Sequence, residues 1–194
     1  MKTLLSIVVD RSGSMETMGK ETFRAINTFV DEQKNEHTDI TFLRFDHECD
    51  RLVEIIPSNE FSLQEEDITP RGTTALYQAI GESIDYTKNL STGYQKVIFM
   101  IMTDGEENSS KGKFQGENGR KYIKELISKS EASDWKFYFL GANIDSKHIG
   151  DALGFTPGHC IDFTPDARGC GEVMRSCSQA VSRFRGGEDS EFNE

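Results

Sequence analysis

Two strongly apolar stretches set the terms on which this chain can fold: Leu4-Leu5-Ser6-Ile7-Val8-Val9 near its start and Val97-Ile98-Phe99-Met100-Ile101-Met102 at its middle. Each has the length of a strand and carries too few polar residues to alternate, so each reads as a strand buried on both faces. The second is apolar enough for the centre of a sheet. Both run directly into polar turns, Asp10-Arg11-Ser12-Gly13-Ser14 and Asp104-Gly105-Glu106-Glu107-Asn108.

Strand and helix patterns alternate along the rest of the chain, which predicts an α/β fold. Phe23, Ile26, Phe29 and Val30 recur at helical spacing and mark an amphipathic helix over about residues 19–36. Ile40–Phe45 and Arg51–Ile56 read as strands joined by the link Asp46-His47-Glu48-Cys49-Asp50. That link is too short for a crossover helix, so the pair is antiparallel, with the second strand at an edge and Pro57 closing it. A polar loop over 58–72 delivers Thr73-Thr74 to a helix whose buried stripe is Leu76, Ile80 and Ile84. After Lys96–Thr103 comes a loop over about 109–119 rich in Gly, Ser and Lys and expected to be flexible. Next come a helix carrying Ile123, Leu126 and Ile127, a strand Trp135–Leu140, a short helix Ile144–Leu153, a strand Cys160–Phe163 and a helix with the face Val173, Cys177, Ala180, Val181 and Phe184. The fold class is therefore α/β: a doubly wound, mostly parallel central sheet with one antiparallel edge strand and helices on both faces. Residues 1–185 form one domain, and residues 186–194, with four acids and no base, form a tail expected to be disordered.

In open α/β sheets ligands gather beyond the carboxyl ends of the strands, where strand order reverses. Asp10, Ser12 and Ser14, the Thr73-Thr74 loop and Asp104 all fall on that rim. Two aspartates, two serines and a threonine make an all-oxygen donor set of the kind a hard divalent ion such as Mg2+ prefers, with Mn2+ or Ca2+ as alternatives. A capping role for Asp10 and Ser12 alone is the plainer reading, but an uncompensated acid at an apolar strand end is costly.

Composition removes several classes of function. A net charge of −11 opposes binding to phosphate backbones, so nucleic acid is not an expected partner. The longest apolar run is far short of the roughly 20 residues that span a bilayer. Met1-Lys2-Thr3 leads straight into the first strand with no secretory pattern, and the four cysteines show no Cys-x-x-Cys pair. A cytoplasmic location with reduced thiols is expected.

With these residues in place the chain resembles the von Willebrand factor type A (VWA) family, and its rim resembles a metal-ion-dependent adhesion site. The family pattern is Asp-x-Ser-x-Ser after the first strand, a Thr before the second main helix and an Asp after the strand that follows. Asp10, Ser12 and Ser14, then Thr74, then Asp104 meet it in order. Counting back from Ala79-Ile80 places Thr74 on the ligand position and leaves Thr73 to cap the helix. The resemblance implies that Ser12 and Ser14 bind the ion directly, and that Thr74, Asp10 and Asp104 do so directly or through water. It further implies that a partner protein completes the ion's shell with an Asp or Glu. Arg71, Thr73 and Glu106 would line the rim that the partner meets. The stand-alone form resembles bacterial and phage intracellular proteins of this type, including those found beside stress-response genes.

The function implied is a non-catalytic, metal-dependent protein-binding module. A metal-dependent phosphohydrolase using Asp10 as nucleophile is the enzymatic alternative, but Ser12 stands where such an enzyme wants a second acid. A scaffold that no longer binds metal is the other alternative. Glu106 and Glu107 are expected to be solvated rim charges. His37, His47, His148 and His159, scattered without ligand spacing, are expected at the surface, and Phe42, Phe45, Phe137, Tyr138 and Phe139 in the core.

Overall fold

The two apolar stretches become neighbours. In a computed structural model that describes residues 1–35, 37–188 and 190–192, β1 (Thr3–Asp10) and β4 (Lys96–Thr103) pair in parallel, Val8 opposite Ile101. Beyond β1 lie β2 (Thr38–Phe45) and β3 (Cys49–Pro57); beyond β4 lie β5 (Trp135–Ala142) and β6 (Cys160–Phe163). The order is β3-β2-β1-β4-β5-β6, parallel except for the β2–β3 hairpin. Strand order therefore reverses between β1 and β4.

The period of two in the strands sorts side chains to opposite faces. Leu5, Ile7 and Val9 of β1 and Ile98, Met100 and Met102 of β4 meet α1 (Glu21–Gln33) and α5 (Ala167–Gly186). Leu4 and Val8, with Val97, Phe99 and Ile101, meet α2 (Leu76–Leu90), α3 (Gly116–Glu131) and α4 (Ser146–Leu153). The five aromatics assigned to the core are fully buried. Among the described residues no helix is long and apolar enough to cross a membrane, and all four cysteines are unpaired.

Four local expectations are corrected. The loop over 109–119 is built rather than flexible in outline: a 3-10 turn at Gly112–Phe114 leads into α3 from Gly116, and Phe114 is buried against α2 and α3. The polar loop over 58–72 contains two 3-10 turns and sends Phe61, Leu63 and Ile68 into the α1 side of the core. Residue 186 ends α5, and Ser190, Glu191 and Phe192 fold back instead of trailing away; Asp189, Asn193 and Glu194 lie outside the described residues. Phe192 N–H donates to Gly158 O at 2.8 Å, and its ring lies 5.5 Å from that of Tyr138. His159, expected at the surface, is 2 % exposed because this returning segment covers it: Ser190 Oγ stands 3.4 Å from its Nε2, and its ring is 5.2 Å from Tyr138.

Candidate metal centre

β1 ends at the strand-order reversal, so whatever follows it sits in the crevice beside β4. Asp10 is fully buried there. Its Oδ1 accepts the Ser12 N–H at 2.6 Å, a tight Asx turn that lifts Ser12 and Ser14 over the strand end. Its Oδ2 accepts the Thr103 hydroxyl at 2.5 Å from the last residue of β4. Ser12 Oγ lies 3.1 Å from Ser14 Oγ, and Ser14 Oγ donates to Asp104 Oδ1 at 2.6 Å. Four of the five predicted donors thus form one connected chain, from the buried Asp10 through Ser12 and the exposed Ser14 to Asp104.

Thr74 arrives from a separate loop. It is buried, its N–H donates to Asn108 Oδ1 at 2.8 Å, and its carbonyl accepts from the N–H groups of Asn108 and Ser109 at 3.0 and 3.2 Å. These bonds tie the threonine loop to the turn that carries Asp104. The Thr74 hydroxyl faces that turn: a Cβ placed on Gly105 would stand 2.9 Å from Thr74 Oγ1. Only a glycine lets the two loops come this close. Gly72 is fixed by a second constraint, since its φ is +68° and a Cβ there would fall 2.2 Å from His47 Nδ1.

The rim positions are distributed unevenly. Arg71, Thr73 and Glu106 are exposed, and Arg71 is already held by Asp46 and Glu48 through hydrogen bonds of 2.6 and 2.7 Å. Thr73 does not cap α2, which begins three residues later. Glu107 does so from across the rim, contrary to its expected role as a solvated charge. Its Oε2 accepts Tyr77 N–H at 2.8 Å, and Ser110 Oγ, which donates to the same oxygen at 2.6 Å, accepts Gln78 N–H at 3.0 Å.

The electrostatics follow from burial. Burial pushes the Asp10 carboxyl up to about 7, opposed by its hydrogen bonds from Thr103 and Ser12 and reinforced by the charge of Asp104. Burial also raises Asp104, against the hydrogen bond from Ser14. Burial thus opposes the charged form of both acids, and a divalent ion at this point would favour it. The donor set is oxygen only, with a hydroxyl on Thr74 that makes no hydrogen bond among the described residues, and it fits a hard ion. Asp46, His47 and Glu48 form another group of ligand-type atoms, all within 4.8 Å of one another, which by spacing alone could hold an ion.

Three contributors were not anticipated from the sequence. Thr103, at the end of β4, serves Asp10, Asn108 serves Thr74 from the turn that follows, and Asp46 contacts both loops. The available signal was positional: Asp46 follows the apolar end of β2 as Asp10 follows that of β1. A cavity of about 650 Å³ lined by Phe155, Pro157, Ile161 and Phe192 lies elsewhere, beside α4 and β6, and includes none of these groups.

No protein-family model matches the sequence, and no curated protein matches it by sequence. Solved structures do match in shape. The vWF domain of the type V pili tip protein Mfa5 from Porphyromonas gingivalis superposes with a TM-score of 0.72 at 10% identity, over 93% of this chain and 95% of that one. The pilus adhesin SpaC from Lactobacillus rhamnosus GG gives 0.71 at 12% identity, over 94% of this chain and 30% of that one. A von Willebrand factor type A structure from Catenulispora acidiphila gives 0.69 at 13% identity, over 95% and 43% respectively. The chain thus spans nearly all of the first and less than half of the other two. It has the von Willebrand factor type A fold.

Proposed function

We propose that this protein is a non-catalytic module that binds a divalent cation, Mg2+ by preference, at Asp10, Ser12, Ser14, Thr74 and Asp104, and uses it to engage an acidic side chain of a partner protein. The observation that supports this most is the linking of Asp10, Ser12, Ser14 and Asp104 by hydrogen bonds beside the Thr74 hydroxyl, with no ion pair to the buried Asp10 among the described residues. When bound, the ion supplies a Lewis-acidic point of attachment for an anionic oxygen. Two carboxylates only balance its charge and the three hydroxyls add none, so attraction for a further carboxylate remains. Asp10 anchors the set from below through Thr103, Ser14 and Asp104 form its open edge, and Arg71, Thr73 and Glu106 stand where a partner would approach. The neighbours in shape include a pilus tip protein and a pilus adhesin, consistent with protein contact as the use of this fold.

Calorimetric titration of Mg2+, Mn2+ and Ca2+ into chelator-treated protein tests the reading, with Ser12→Ala as control. One saturable site, lost or at least tenfold weaker in the variant, is expected on the scale typical of lost metal ligation or support. Equal binding by wild type and Ser12→Ala would remove the site.

A further inference from the structure

Asp46 is fully buried, yet the ligand set does not use it. Its Oδ2 lies 2.6 Å from Arg71 Nε and 3.1 Å from Arg11 Nε. Its Oδ1 accepts the Glu48 N–H at 2.9 Å and stands 3.0 Å from His47 Nδ1. Its backbone carbonyl accepts the Ala75 N–H at 2.7 Å. Arg11 sits between the donors Asp10 and Ser12, and Arg71 and Ala75 bracket Thr74. One aspartate therefore holds both donor loops, by charge through two guanidinium groups and by backbone through the start of α2. Direct bonds between the loops run alongside: Arg71 N–H to Arg11 O at 2.7 Å and Gly13 N–H to Gly72 O at 3.1 Å.

The same contacts argue against a second ion at Asp46, His47 and Glu48. The Asp46 carboxylate is already filled by two cations and a backbone N–H, and an incoming ion would face both guanidinium groups. Arg11 and Arg71 are carried by the two donor loops and repel one another, so without a buried counter-charge between them they would drive those loops apart.

We propose that Asp46 is a positioning residue for the metal centre: it neutralises Arg11 and Arg71 and fixes the spacing between the loop of Ser12 and the loop of Thr74. This rests on the rim being a metal centre, and the test separates the two claims. Mn2+ is titrated into the chelator-treated full chain as wild type, as Asp46→Asn, and as Asp46→Asn combined with Arg71→Gln. Asp46→Asn is expected to keep the far-ultraviolet circular dichroism of the wild type and to bind Mn2+ about tenfold or more weakly, in line with losses at groups that support ligands. Removing the Arg71 charge in that background is expected to restore about half of the loss on a logarithmic scale, because the repulsion it exerted is gone. Wild-type affinity in Asp46→Asn, or no recovery in the double variant, overturns the proposal. If Asp46→Asn does not fold, Asp46→Glu keeps the charge but displaces it, and a loss of about threefold or more is expected; unchanged affinity overturns the proposal. If the wild type itself binds no Mn2+, the metal reading fails by itself. Asp46 is then judged by amide exchange at Arg71 and Ala75 in the variant that folds: faster exchange supports its role in holding the loops, and unchanged exchange overturns it.

Discussion

Asp10 carries the sharpest conflict in the molecule, a carboxyl fully buried under a hydrogen-bonded turn and without an ion pair among the described residues. Because burial lifts its pKa from 3.8 to about 7, the folded protein keeps a proton that the unfolded chain releases. The stability due to that proton is present in full below about pH 4 and is lost as pH rises toward 7. In chelator, Asp10→Asn should therefore be more stable than the wild type at pH 8, by up to about 4 kcal/mol at 1.36 kcal/mol per pKa unit, with little difference near pH 4. Urea unfolding at both pH values checks this, and equal stability at pH 8 would mean that the carboxylate is better compensated than its contacts suggest. A metal bound as proposed would have to displace the same proton, so Mg2+ affinity should fall by about tenfold per pH unit below 7. Gly105→Ala tests the other side of the crevice: a Cβ 2.9 Å from Thr74 Oγ1 should weaken the ion's binding several-fold, with a smaller effect on unfolding by urea.

Among the elements, α2 shows how the rim is assembled. Its first N–H groups are satisfied by Glu107 and Ser110, which lie beyond β4, so the helix start and the Asp104 turn stabilise each other. Glu107→Ala should lower stability by about 1–2 kcal/mol, the usual cost of losing a helix cap, and Glu107→Gln by less, read as a shift in thermal midpoint. Nothing local in the sequence could reveal this cap, because its two halves lie some 30 residues apart. The strands and helices themselves were legible, since apolar period and length act locally: β4 and β6 have the bounds their sequences predict, and the antiparallel hairpin follows from the shortness of its link. The gathering of Asp10, Ser12, Ser14, Thr74 and Asp104 on one rim was legible because each lies at or just past a strand end or ahead of a helix. Asp46, Asn108 and Thr103 were not, because their roles depend on which loops the sheet order brings together. Phe61, Leu63 and Ile68 escaped for a related reason: three apolar residues without a period give no sign of which face will cover them.

At the scale of the whole molecule, the segment after α5 belongs to the fold. Phe192 packs on Tyr138 at the base of α5, and Arg183 donates to the Glu191 carbonyl. Phe192→Ala should cost about 1–3 kcal/mol, less than a fully buried Phe because this ring is only partly covered. Urea unfolding measures it, and an unchanged midpoint would mean that the segment does not hold its place in solution. Phe192 is clipped to Gly158 ahead of β6 and its ring lies on Tyr138, which the strand register sets level with Met100 and Ile7, so the returning segment shields the flank of the sheet and not its carboxyl rim. Cutting the chain after α5 would therefore bare the Tyr138 and His159 side of the core while leaving the crevice as it is.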